Sequence, residues 1–399
     1  MNRVGSSQRL CHHDRVKYLV LVPDGCADEP LAELDGRTPL EAAAMPRLAA
    51  IAARAEVGRA AVIPDGLPPG SDVGNMAILG YDPAEYHTGR APIEAAAMGV
   101  ELGPDGVAYR CNLVTVDDAG TMVDFAAGHP TDAQSHPIVA ALDATLGDGR
   151  DGVRFHPGVE YRHLCVVPRD WAEAECVPPH DLTGQLAVMP TGPAAGKLLA
   201  LMDASRDVVR AIAAEVGSDA TQIWLWGQGV RPALPRFEDR FGVSGRLSSA
   251  VDLVRGLGAL TGLDVVDVPG ATAGFDNDYG AQARACLESL EDRDLFLLHV
   301  EATDEAGHAG DEKEKVAALE RWDTDIIGPL VDALGDESYR ILLMPDHSTP
   351  CALRTHTSDP VPYLLFDSTA DGPGGEYTES GVADRDPVVA HTLMARLLA

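Results

Sequence analysis

Three apolar runs in this 399-residue chain each stop at an acidic residue, and that arrangement restricts the fold more than any other feature. Residues 16–22 run into Pro23-Asp24-Gly25, residues 294–300 into Glu301 and Asp304, and residues 339–344 into Pro345-Asp346-His347. Runs of this length without polar alternation predict strands buried on both faces, the kind found in parallel sheets covered by helices. Helical patterns over 39–55, 248–260, 280–290, 313–334 and 386–398 supply the covering layers, so the expected class is α/β with a mostly parallel sheet. Ligands of such sheets collect at the C-terminal ends of the strands. Asp24, Glu301, Asp304, Asp346 and His347 are therefore expected to lie near one another.

From about residue 99 the texture changes. Residues 107–116 and 122–125 read as a hairpin turning at Asp117-Asp118-Ala119-Gly120, followed by a helix over 132–146, strands over 153–155 and 161–167, a helix over 194–216 and a strand over 222–226. Mixed hairpins and helices predict a smaller α+β domain, inserted over 100–230. The main domain is then split into 16–99 and 231–399. Residues 1–15, with Arg3, Arg9, Cys11, His12, His13 and Arg15 and no apolar segment, are expected to form a disordered extension.

Charge narrows the partners. With 62 acidic residues against 31 basic ones, the net charge of −31 repels a polyanion and argues against nucleic acid. A small anionic substrate would need local arginine or metal charge. No run approaches the roughly 18 apolar residues of a membrane span. The seven cysteines are odd in number and lack a C-x-x-C pair, which points to a reducing cytoplasm. Nothing in the sequence fixes an oligomeric state.

The chemistry centres on a loop. Pro64-Asp65-Gly66-Leu67-Pro68-Pro69 forces a turn, and Gly70-Ser71-Asp72-Val73-Gly74-Asn75 then opens a helix whose free amides favour phosphate. Ser71 fits two roles there, a helix N-cap or a nucleophile that carries a phosphoryl group. Asp304 and His308 stand four apart, a helical spacing that puts both on one face, and His356 follows in Thr355-His356-Thr357. Asp24, Ser71, Asp304, His308, Asp346, His347 and His356 together offer enough oxygen and imidazole ligands for two divalent ions of the Zn or Mn kind. Such a pair can activate a hydroxyl and clamp an in-line phosphoryl displacement. A ten-residue echo, Gly36–Met45 against Gly89–Met98, places Arg37 and Arg90 at two helix starts, either as phosphate contacts or as capping groups. The P-loop, the dinucleotide glycine fingerprint and the G-x-S-x-G elbow are all absent.

Val22-Pro23-Asp24-Gly25, Gly70 to Asn75, His299-Val300-Glu301-Ala302-Thr303-Asp304-Glu305-Ala306-Gly307-His308, Pro345-Asp346-His347 and Thr355-His356-Thr357 resemble, in order, the motifs of archaeal-type, 2,3-bisphosphoglycerate-independent phosphoglycerate mutases of the alkaline phosphatase superfamily. The resemblance runs from about residue 16 to the C-terminus. It implies an alkaline-phosphatase-like three-layer domain, an inserted domain that closes over substrate, two divalent ions (Mn, Zn or Mg), no 2,3-bisphosphoglycerate, and a phosphoserine intermediate. Carried over by motif, Ser71 is the nucleophile; Asp24, Ser71, Asp346 and His347 hold one ion, and Asp304, His308 and His356 the other. Arg162, in a Y-R-H element, is the candidate grip on substrate phosphate or carboxylate, with His129, Asn75 and Arg90 as further substrate contacts.

The resemblance weakens in the insert. Where archaeal mutases tend to read D-R-x-A-G-R, this chain has Asp124-Phe125-Ala126-Ala127-Gly128-His129. It also has Trp226 where they tend to have an arginine before G-x-G. Fewer cations weaken the hold on a doubly anionic substrate such as phosphoglycerate. The W-L-W-G-Q-G form resembles a bacterial branch proposed to phosphorylate homoserine. The expected reaction is thus interconversion of 2- and 3-phosphoglycerate, with a homoserine-kinase-like transfer, or a phosphatase acting on a small phosphorylated or phosphonate metabolite, as the alternative.

Overall fold

The computed structural model describes residues 15–147 and 152–399. The extension expected over 1–15 lies, apart from Arg15, outside them. The strands are β1 (Lys17–Pro23), β2 (Glu56–Ala61), β3 (Gly106–Val116), β4 (Met122–Asp124), β5 (Arg154–Val159), β6 (Arg162–Pro168), β7 (Gln222–Gly229), β8 (Gly245–Ser248), β9 (Asp264–Val265), β10 (Leu295–Val300), β11 (Tyr339–Leu343), β12 (Val361–Asp367) and β13 (Val388–Val389). They fall into two compact units, residues 15–85 with 235–399, and residues 86–147 with 152–234.

The larger unit holds an eight-stranded sheet in the order β13-β2-β12-β11-β1-β10-β8-β9. All neighbouring pairs are parallel except those of β12, which runs antiparallel to both β11 and β2. Its three central strands are the three apolar runs. Leu19, Leu21, Phe296, Leu298, Ile341 and Leu343 face one core, packed with Trp322, Ile326 and Leu330 from the helices that follow β10. Val20, Leu297 and Leu342, on the opposite face, are equally buried. Covering both faces explains why these strands carry no polar alternation. Parallel pairing of β1 with β10 and β11 brings their C-terminal ends, and the residues beyond, to the same edge.

The smaller unit is built on an antiparallel sheet, β4-β3-β6-β5, with β7 also paired to β3. The helices Asp132–Leu146 and Ala195–Val216 pack over it, and a second core gathers Tyr109, Leu113, Ile138, Leu142, Phe155, Leu198 and Trp224. The unit begins earlier than the change in texture near residue 99. Ala91 and Ala95, from the helix Ala91–Ala97, pack against Leu102, Ala108 and Leu164.

Some expected elements differ. The helix expected over 39–55 is two, Pro39–Ala42 and Pro46–Ala52, because Pro46 lacks an amide hydrogen and pushes Met45 out of helical geometry. The run 313–334 is interrupted by a π-type turn, Asp323–Ile327, just ahead of Pro329. The closing segment 386–398 is helical only from residue 390, and the helix expected from Ser248 starts at Asp252, after strand β8.

Candidate active site

Five of the seven ligand candidates are delivered by a strand end or the helix behind it. Asp24 follows β1, Asp346 and His347 follow β11, and Asp304 and His308 sit on the helix Ala302–Ala309 directly after β10. That helix places Asp304 Oδ2 3.2 Å from His308 Nε2, as four-residue spacing requires. His356 reaches the same point. Its Nε2 is 3.5 Å from Asp304 Oδ1 and 2.9 Å from His308 Nε2, so the three form one converging group.

A second group lies deeper. His347 Nε2 is 3.6 Å from Asp24 Oδ1 and from Asp346 Oδ2, and its Nδ1 is 4.0 Å from Asp304 Oδ1. Asp24, Asp346 and His347 have no exposed side-chain surface. Gly25 makes the approach possible. At φ +58°, a Cβ on it would lie 2.5 Å from Asp304 Oδ1 and from Thr349 Oγ1.

The N-cap position of the helix Ser71–Ile78 is held by Gly70 and not by Ser71, which is the first helical residue. The Ser71 Oγ lies 3.4 Å from His347 Nε2. Asn75, one turn on, is fully buried; its amide donates to Asp346 Oδ2 at 2.8 Å and to the Ser71 carbonyl at 3.0 Å. The expected substrate contact is thus a residue whose amide nitrogen is spent on positioning Asp346. Thr349, which sequence reasoning passed over, donates to Asp304 Oδ1 at 2.5 Å and accepts from His347 Nδ1 at 3.1 Å. That fixes the imidazole so that Nε2 faces Ser71.

The electrostatics follow from burial. Burial, reinforced by Asp346, Glu301 and Asp304, raises Asp24 well above the ordinary carboxylate range. Glu301 is pushed up to about 8, again mainly by burial. Burial also acts on Asp304, but His308 and His356 outweigh it and hold that carboxyl low. The hydrogen bond to Asp304 in turn raises His308 to about 9. Burial lowers His347 and takes His299 to about 4, so both rings are neutral at pH 7.

These residues fit divalent cations. Both oxygens of Asp24 and Nε2 of His299 are buried and have no hydrogen-bond partner among the described residues, which is costly unless a cation takes the electron pairs. The donor set of carboxylate oxygens and imidazole nitrogens suits Zn or Mn. His299 joins Asp24 and Asp346 in a third converging group. In the sequence His299 opens the motif that ends at His308, but a histidine inside an apolar run has no spacing that sets it apart as a ligand.

The remaining substrate candidates belong to the smaller unit. Arg162 lies over the Tyr161 ring at 5.1 Å and 3.7 Å from Glu160. His129, at φ +53°, packs edge-on to the same ring and lies 3.4 Å from Glu160. Arg90 is paired with Glu94 at 3.0 Å, and Glu94 also takes the buried Arg110 at 2.9 Å. Arg110 lies 4.4 Å over the ring of Trp226.

Known proteins resemble this chain along most of its length. Residues 52–214 match the family model described as 2,3-bisphosphoglycerate-independent phosphoglycerate mutase. The protein of that name from Methanosarcina acetivorans is 45% identical over 371 residues, 90% of this chain and 93% of that one. A probable enzyme of the same name from Geobacter sulfurreducens is 45% identical over 388 residues, 93% of this chain and 94% of the other. The solved cofactor-independent phosphoglycerate mutase of Thermoplasma acidophilum shares the fold at a TM-score of 0.66 and 24% identity, over 96% of this chain and 99% of that one. With identity of this extent along nearly the whole chain, the protein belongs to the 2,3-bisphosphoglycerate-independent phosphoglycerate mutase family.

Proposed function

We propose that this chain is a metal-dependent phosphomutase that interconverts 2- and 3-phosphoglycerate through a phosphoserine at Ser71, without 2,3-bisphosphoglycerate. The observation that carries the reading is the Ser71 hydroxyl facing His347 Nε2 among the Asp24, Asp304 and Asp346 carboxylates. One divalent ion is assigned to Asp304, His308 and His356, and the other to Asp24, Asp346 and His347 beside Ser71; when bound, the pair lowers the hydroxyl's pKa and neutralises phosphoryl charge.

The residues themselves do the rest. The Ser71 oxygen attacks phosphorus as the bond from phosphorus to the substrate oxygen breaks, leaving phosphoserine and the free diol acid. The acid's other hydroxyl then attacks the same phosphorus and restores Ser71. Amides of the first helical turn, ahead of Gly74 whose N–H closes on the Gly70 carbonyl, are placed for phosphate oxygens. Asn75 and the Gly25 amide, the latter 3.3 Å from Asp346 Oδ1, hold Asp346 in place. Arg162 and His129, on the smaller unit, are the further substrate contacts of this reading.

No helix among the described residues is long and apolar enough to cross a membrane. The six described cysteines are free, as in a reducing compartment, and the cytoplasm is the location we propose. One observation favours a second reading. Arg110 is paired with Glu94 and lies over Trp226, so it offers less free cationic charge to a doubly anionic substrate, which fits a less anionic acceptor such as homoserine. Incubating metal-loaded protein with 3-phosphoglycerate, coupled to enolase and with no added bisphosphoglycerate, tests the choice. Steady turnover supports the mutase; no turnover, with phosphate transfer to homoserine or release of inorganic phosphate, replaces it.

A further inference from the structure

His299, the penultimate residue of β10, has a ring with no exposed surface. Its Nδ1 lies 3.1 Å from Ser249 Oγ and its Nε2 2.9 Å from Asp24 Oδ2. A ring N–H aimed at a carboxylate over that distance would form a strong, charge-assisted hydrogen bond. The alignment for one is missing. Neither His299 Nε2 nor either Asp24 oxygen has a hydrogen-bond partner among the described residues. Two donor atoms about 2.1 Å from one ion, and at right angles around it, lie about 3 Å apart. Asp346 completes the triangle, with an oxygen within 4.8 Å of both.

We propose that His299 is a direct ligand of the divalent ion held by Asp24 and Asp346, with Ser249 orienting the ring so that Nε2 is the donor atom. This rests on the reading of the centre as a two-ion site. Ser249 is itself fixed, since its Oγ accepts the Val251 amide at 2.9 Å and keeps a second electron pair for the Nδ1 hydrogen. Metal-bound histidines commonly use their other N–H in this way. The consequence is ionic selectivity. With His299 and His347 both beside Asp24, the donors are mixed nitrogen and oxygen, which favours Zn-like ions over Mg.

Crystals of the full chain loaded with Zn give the direct test. An anomalous peak within about 2.3 Å of His299 Nε2 and beside the Asp24 and Asp346 carboxylates is expected. A peak at Asp24 but more than about 3 Å from Nε2 overturns the assignment and leaves the two-ion reading intact; no peak at Asp24 removes both. In solution, calorimetric titration of metal-free protein with Zn should show two binding events. His299→Gln should weaken one at least tenfold, and Ser249→Ala the same one about tenfold. Unchanged affinities in folded His299→Gln protein overturn the proposal, and the wild-type crystal measurement stands if that variant does not fold. Excess Mg should fail to displace Zn from this site in wild type; equal competition also counts against it.

Discussion

Ser71 Oγ lies 3.4 Å from His347 Nε2, two residues brought together across 276 positions of sequence by a helix start and a strand end. Gly70, and not the serine, occupies the N-cap position, so the helix start does not call on the Ser71 hydroxyl as a cap. Ser71→Ala is therefore expected to melt within a few degrees of wild type while losing turnover by several orders of magnitude. Intact mass spectrometry after brief exposure to substrate should show a phosphorylated wild-type chain and none in the variant. Normal turnover by Ser71→Ala would remove Ser71 from the reaction.

The same helix meets the Asp346 loop through Gly74. A Cβ there would lie 2.1 Å from the Asp346 carbonyl oxygen and 2.7 Å from its Cβ. Backbone cannot swing aside as a side chain does. Gly74→Ala should force the helix and the Asp346 loop apart, at a cost of about 1–3 kcal/mol in denaturant unfolding. Metal affinity and turnover should fall with it, because Asn75 then loses its reach to Asp346. A variant with unaltered stability would show that the loop yields freely.

The strand-end carboxylates were legible because parallel pairing forces their convergence, and the Asp304–His308 pair because helical spacing is local. His299 and Thr349 were not, since their importance comes from what lies across the sheet and from no local pattern. The start of the smaller unit was hidden for a related reason. Ala91-Pro92-Ile93-Glu94 and Thr38-Pro39-Leu40-Glu41 open helices with similar chemistry, and only tertiary packing against Leu102, Ala108 and Leu164 assigns the first of them to the smaller sheet. Pro46 was visible, but the helical pattern on either side of it outweighed the break favoured by proline's missing donor, a break that Pro137 does not cause in the helix Asp132–Leu146.

Lys315 is a buried cation behind the acidic centre. Its Nζ donates to Asp28 Oδ2 and to the Thr349 carbonyl, each at 2.8 Å, and neither side chain has exposed surface. Asp28 also accepts the Cys351 amide at 3.1 Å, so this pair ties the loop after β1 to the loop after β11. Lys315→Met leaves Asp28 buried and unpaired and should cost about 3–5 kcal/mol. Adding Asp28→Asn removes the orphan charge and keeps an acceptor for Cys351, so the double variant should recover much of that loss. A double variant as unstable as the single would mean that lost packing, and not the stranded charge, sets the cost.

His163 gives the smaller unit an acid limit. It is 2% exposed, its Nδ1 accepts the Gly158 amide at 3.0 Å, and burial lowers its pKa to about 3. A proton on Nδ1 would break that bond and bury a charge. The unfolded chain binds the proton near pH 6.5, so stability from the neutral ring is complete above that value. It is lost as pH falls from 6.5 towards 3, by roughly 2–3 kcal/mol at pH 4.5. Three of the chain's four tryptophans, Trp171, Trp224 and Trp226, lie in this unit, so urea unfolding followed by tryptophan fluorescence reports chiefly on it. His163→Asn offers Gly158 an acceptor that does not titrate. Its unfolding free energy should change less than wild type's between pH 7 and pH 4.5, and parallel pH curves for the two proteins would place the acid sensitivity in another group.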